Sequence, residues 1–148
     1  MEKMKTNQGG VMLLEAMIGI LIFSLGVLAL VAMQAVSTSN VSNARFRSEA
    51  AFLANEILSQ AWLEGGANYN VITTNYKYPG GGVAVNNWVT KVQGLLPQAD
   101  VYPPTITQTA IPGMARGLQL TVTVQWKAPD ALTPSNHVAI GFVSEPTD

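Results

Sequence analysis

The chain has 148 residues, room for one modest domain and an extended element rather than two full cores. Its net charge is −1 and its eight basic residues are scattered, so the sequence carries no electrostatic footprint for nucleic acid. Cysteine is absent, which excludes disulfides, thiolate metal sites, a cysteine nucleophile and a lipidated cysteine.

Only 11% of residues are charged, against about a quarter in ordinary soluble domains. The deficit is concentrated, because no charged residue lies between Glu15 and Arg45. Before it comes a short polar stretch, MEKMKTNQGG, made weakly basic by Lys3 and Lys5. An apolar run starts at Val11, and the eighteen uncharged residues from Ala16 to Met33 are just long enough to cross a hydrocarbon core at about 1.5 Å per residue. The two lysines would hold the N-terminus in the cytoplasm and send the C-terminal part outward.

Three readings fit this segment. As a secretory signal peptide it has a small-residue cleavage site at Ala35-Val36-Ser37, but its apolar core is longer than usual. As an uncleaved single-pass anchor it is barely long enough. The third reading accounts for Glu15. A carboxylate in an apolar helix needs a partner, and the next cation along the chain is Arg45. A cut after Gly10 would free an α-amino group on Val11 and make Glu15 the fifth residue of the trimmed chain. In a bundle of parallel helices that amine pairs with the Glu15 of a neighbour and sets axial register.

Gly10, then Val11-Met12-Leu13-Leu14-Glu15, then a hydrophobic helix, resembles the type IV prepilin signature. The resemblance implies cleavage after Gly10 and N-methylation of Val11 by the prepilin peptidase, with Glu15 serving subunit assembly. The first mature residue in that family is commonly Phe, and here it is Val11.

No proline precedes Pro79, and no glycine falls between Gly26 and Gly65, so one helix is expected from about Met12 to Trp62, with Gly65-Gly66 as its stop. Past Ser37-Thr38-Ser39-Asn40 it becomes amphipathic: Phe46, Ala50, Leu53, Ile57 and Ala61 recur on one face, the face expected to pack on a globular domain. The run Arg45–Gln60 resembles the stretch after the membrane helix in minor pilins of the PilV type, through Arg47, Ser48, Ala50, Leu53, Ala54 and Ile57. Gly19 and Gly26 lie seven residues apart with Ala16 and Ser24 nearby, a small-residue face that permits close helix approach in lipid. The absence of a mid-helix proline departs from many major pilins.

From Gly65 to about Asn87 the chain is rich in Gly, Asn and Tyr and reads as turns and loops. Trp88–Gln93 reads as a short strand, and Thr105–Ile111 as an edge strand. Leu118, Leu120, Val122, Val124 and Trp126 alternate with polar neighbours, giving a strand with one buried and one wet face. His137–Val143 reads as a returning antiparallel strand. Trp62, Trp88 and Trp126 are expected to be core residues or anchors between domain and helix.

The expected fold is α+β: a long N-terminal α-helix, membrane-spanning in its first half and amphipathic in its second, packed on a small antiparallel sheet of three or four strands in a pilin-like arrangement. The expected divisions are a leader (1–10), a membrane and assembly half (11–36), an amphipathic half (37–64) and a periplasmic β-sheet domain (65–148). Nothing points to an enzyme, a cofactor or a metal site. His137 has no companions at ligand spacing, Gly80-Gly81-Gly82 lacks the Gly-Lys-Ser/Thr of a phosphate loop, and Asn40-Val41-Ser42 is a sequon inside a helix. The resemblance implies a minor pilin that helps initiate or decorate a type IV pilus, and so adhesion or motility. Its partners would be the prepilin peptidase, major and other minor pilins and inner-membrane lipid. A minor pseudopilin of a type II secretion system shares the N-terminal features, and a membrane-tethered periplasmic binding domain would lack cleavage after Gly10.

Overall fold

The computed structural model describes residues 9–129 and 131–144. Residues 1–8 of the expected leader, with Lys3 and Lys5, lie outside the described residues. Among the described residues three helices are followed by three strands: α1 (Gly9–Ala67), α2 (Tyr69–Asn75), α3 (Val83–Leu95), β1 (Thr105–Ala110), β2 (Gly117–Trp126) and β3 (Ser135–Ser144). The chain divides into two compact units, one ending at Val41 and the other beginning at Ser42.

The first unit is the N-terminal part of α1. Its large apolar side chains from Val11 to Val36 are all exposed, and α1 is long and apolar enough to cross a membrane. Ser24 and Thr38 turn their hydroxyls back onto the carbonyls of Ile20 (2.7 Å) and Gln34 (3.0 Å), so neither hydroxyl needs water as a partner.

The second unit holds the core. Ala50, Leu53, Ala54, Ile57 and Ala61 of α1 are buried, as their spacing predicts, with Phe46 packed against them. The sheet is antiparallel with spatial order β1-β2-β3, and β2 runs down its middle. Every second residue of β2 from Leu118 to Trp126 is buried, which makes it the sheet's contribution to the core. The architecture is therefore α+β, with a long apolar N-terminal helix and a small sheet of three strands among the described residues.

Three expectations are corrected. Trp88–Gln93 is helix, not strand. Across Val83–Leu95 the buried residues Val85, Trp88, Val89 and Val92 fall at spacings of three, one and three, the signature of a single helical face. The region read as loop contains α2 and the start of α3. α2 is only seven residues long and rich in β-branched residues that favour other states. It is held by its neighbours: Asn68 caps its start by accepting from the Asn70 amide (3.0 Å), and Ile72 is fully buried. Gln108 of β1 donates to the carbonyls of Ile72 (2.6 Å) and Tyr76 (2.9 Å) at its far end.

The helix stop also falls later than expected, because α1 continues through Gly65 to Ala67. Gly65 serves another purpose. A Cβ there would run into Val143 Cγ1 and lie 2.8 Å from Ile72 Cγ1, so the glycine lets β3 and α2 close on α1.

The tryptophans divide into two kinds. Trp126 and Trp88 are buried, and the Trp88 indole donates to the Leu53 carbonyl (2.8 Å), pinning α3 to α1. Beside that bond Lys91 pairs with Glu56 (2.8 Å) and lies over the Phe52 ring (5.6 Å). Trp62 is 65% exposed and so is not a core residue; it anchors by donating to the Phe142 carbonyl (2.6 Å).

Candidate functional site

Gly10, Val11 and Glu15 all lie in the first turns of α1 and are exposed. A Cβ on Gly10 would meet nothing within 4 Å, so no close approach in the fold asks for glycine there. Inside a helix, glycine is less favourable than alanine by roughly 0.5–1 kcal/mol. Gly19 and Gly26 are likewise open, with nothing within 4 Å of a would-be Cβ. All three glycines weaken the helix without relieving a clash, in contrast to Gly65.

Glu15 forms no ion pair among the described residues, where the pair present is Lys91–Glu56. From Val11 to Ala44 it is the sole charged side chain. Val11 and Glu15 are four residues apart, so on a helix they lie about 6 Å apart along the axis and nearly on one face. A chain beginning at Val11 would end in an α-amino group and four backbone N–H groups without intrahelical partners. That end is positive, and the carboxylate sits one turn below it. Side by side, two such helices can satisfy each other's charges only within a narrow range of axial offsets, because each presents one positive end and one negative side chain in an otherwise apolar surface.

The remaining candidates show no reactive grouping. His137 sits within β3 rather than at its edge with the loop, half-buried opposite Val124. No group of three or more His, Cys, Asp or Glu able to hold a metal ion occurs among the described residues. The triple glycine forms the turn into α3: Gly80 has a positive φ of 95°, and the Gly82 amide donates to the Asn75 carbonyl (2.9 Å).

One buried polar group stands out in the core. Tyr76 is 1% exposed, and its hydroxyl has no hydrogen-bond partner within bonding geometry among the described residues. Burial first, and the nearby Glu64 carboxylate second, hold this phenol well above its usual range and keep it neutral. The sequence gives no sign of this, since tyrosines in the Gly/Asn-rich region read equally well as loop residues.

Compared with known proteins, the chain matches no family model, no curated protein and no solved structure.

Proposed function

We propose that the chain is a minor subunit of a type IV pilus, similar to minor pilins of the PilV type, and that it acts by assembly rather than catalysis. The observation that carries this reading is the lone carboxylate of Glu15 on an exposed apolar helix, five positions after a glycine that the fold does not require. Prepilin peptidase cuts after Gly10 and methylates Val11. The precursor is held in the bacterial inner membrane by residues 11–36, with the second unit in the periplasm. On assembly, the new N-terminus pairs with the Glu15 carboxylate of an adjacent major or minor pilin. Apolar side chains that faced lipid then face other helices, and Gly19 and Gly26 allow close approach. The chain thereby takes part in building the filament and in the adhesion or motility that depends on it.

The mass of the N-terminal peptide, taken from protein made in a host with a prepilin peptidase, tests the proposal. The expected peptide begins with a methylated Val11. A native protein that still begins at Met1 would refute it, and so would one clipped near Ser37.

A further inference from the structure

The charge gap in α1 closes with two arginines. Ala16 to Ala44 carry no charge, and Arg45 and Arg47 follow at once. Both are exposed, while Phe46 between them packs against the core of the second unit. Successive helical residues are turned by about 100°, so a Phe46 that faces the core sends its two neighbours to opposite flanks of the helix. Among the described residues neither guanidinium forms a hydrogen bond or an ion pair, the pair present being Lys91–Glu56. Glu49 stands four positions after Arg45, the less favourable order for such a pair, and the two do not meet. Each guanidinium therefore offers five N–H donors to its surroundings.

On the membrane-spanning reading, residue counts give the height of these donors. Glu15 marks one interface, and Ala16 to Val36 is 21 residues, about 31 Å of helix against a hydrocarbon core of about 30 Å. The next eight, Ser37 to Ala44, are polar except for Val41 and Ala44 and add about 12 Å. That figure is an upper limit, because a bend or a tilt of the helix only shortens it. The headgroup layer beyond the hydrocarbon is about 5–8 Å deep on each side. A long side chain on a helix lies back over the turn N-terminal to its own Cα, here roughly 5 Å toward the apolar run. The Arg45 guanidinium then reaches about 8 Å from the hydrocarbon edge, level with the headgroups, and Arg47 stands about 3 Å above it.

We infer that Arg45 and Arg47 bind the phosphodiester groups of anionic phospholipids, one lipid on each flank of α1, at the membrane face nearer the second unit. The inference rests on the membrane-spanning reading of α1. Charge and shape select the occupant. A guanidinium fork takes two phosphate oxygens at once. From Ala16 to Ser48 no acid offsets the two cations, and Glu49 is the first. A zwitterionic headgroup brings a further cation to this collar, whereas phosphatidylglycerol brings none. Free phosphate has no acyl chain to lie along the exposed side chains of Val31, Met33 and Val36.

The test places the full chain in nanodiscs of phosphatidylcholine with a minor share of phosphatidylglycerol, exchanges it into detergent and counts the retained lipids by native mass spectrometry. Two retained lipids are expected, each enriched in phosphatidylglycerol roughly fivefold over its share in the disc, the preference of one arginine at an anionic surface. Arg45→Gln and Arg47→Gln should each remove one of the two enriched lipids, and the double variant should return retention to the disc composition. Lys77→Gln, which removes an exposed cation just past α2, should leave the preference unchanged. Excess inorganic phosphate should displace neither lipid. A preference that survives in the double variant, equal loss in Lys77→Gln, or displacement by inorganic phosphate overturns the inference. A chain that enters the discs and retains lipid at the disc composition overturns the headgroup site alone. One that does not enter the discs overturns the membrane reading and the site together.

Discussion

Replacing Glu15 with alanine separates insertion from assembly, two steps that most membrane substitutions move together. Glu15 sits about 6 Å along the helix from Val11, near the end of the apolar stretch rather than its middle. A carboxylate at the bilayer centre costs roughly 2.5–3.5 kcal/mol and less near a helix end, so removing it should favour insertion by about 1–2 kcal/mol, or roughly 5- to 30-fold. On the proposed reading the same change removes one half of a charged pair. A hydrogen bond to a charged group contributes about 1.5–3 kcal/mol, so incorporation into filaments should fall roughly ten- to a hundredfold. The assay measures the membrane-integrated fraction by carbonate extraction and the incorporated fraction in sheared filaments of the same cells. A further arm tests whether the partner is the new N-terminus. Gly10→Asp should leave a precursor about ten residues longer with no amine at Val11. Adding Glu15→Ala to it should then lower incorporation no further. Unchanged incorporation of Glu15→Ala would refute the reasoning, and so would additive losses in the double variant.

Two further outcomes follow from the second unit. Gly65→Ala gains about 1 kcal/mol of helix propensity but drives a methyl into Val143 and Ile72, an overpacking that costs about 1–3 kcal/mol. It should therefore lower the melting temperature, whereas Gly94→Ala, on an exposed turn of α3 with nothing within 4 Å, should raise it; a rise for both would mean that α1 and β3 are not in close contact at Gly65. For Tyr76 the acid form is the neutral one, and the folded state raises its pKa, so its contribution is fully present below the unfolded value of about 10 and is lost as pH climbs through and beyond that value. Urea midpoints between pH 8 and about 11 should fall for the native chain more steeply than for Tyr76→Phe, and parallel curves would discount the buried phenol.

The residues that could be read without coordinates are those whose pattern is set by their own element. α1 declares itself because nothing interrupts it between Gly26 and Gly65 and because its second half repeats on one face; β2 does so because alternation over nine residues admits no other period. α3 was hidden by a short window. Taken alone, Trp88-Val-Thr-Lys-Val-Gln is β-branched and aromatic, and only the addition of Val85 and Leu96 brings out the helical spacing. α2 was not legible at all. Its stability comes from Gln108 on a strand some thirty residues away and from burial of Ile72, interactions that no local pattern can carry. For the candidate site the balance is reversed. Gly10, Val11 and Glu15 form a spacing that the sequence alone displays, and the fold adds that glycine at position 10 relieves no clash. That β3 stands at an edge of the sheet among the described residues could not be read, since strand order alone decides it.

The two units differ in where their unusual residues find their reasons. In the second, apart from the Tyr76 hydroxyl, they are answered within the chain: Gly65 by Val143, Gly141 by Leu58, the Trp88 indole by Leu53, Gln108 by the end of α2. In the first, Gly10, Gly19 and Gly26 relieve no clash, Glu15 has no ion-pair partner among the described residues, and the apolar side chains around them are exposed on every face. Each glycine costs the helix about 1 kcal/mol, and a carboxylate carried into lipid costs more. A helix whose only task was to sit in lipid would be better served by alanine or leucine at all four positions. On the proposed reading other molecules act on that helix: an enzyme that needs a small residue at the cut, helices that need room to approach, and a neighbour that carries the opposite charge.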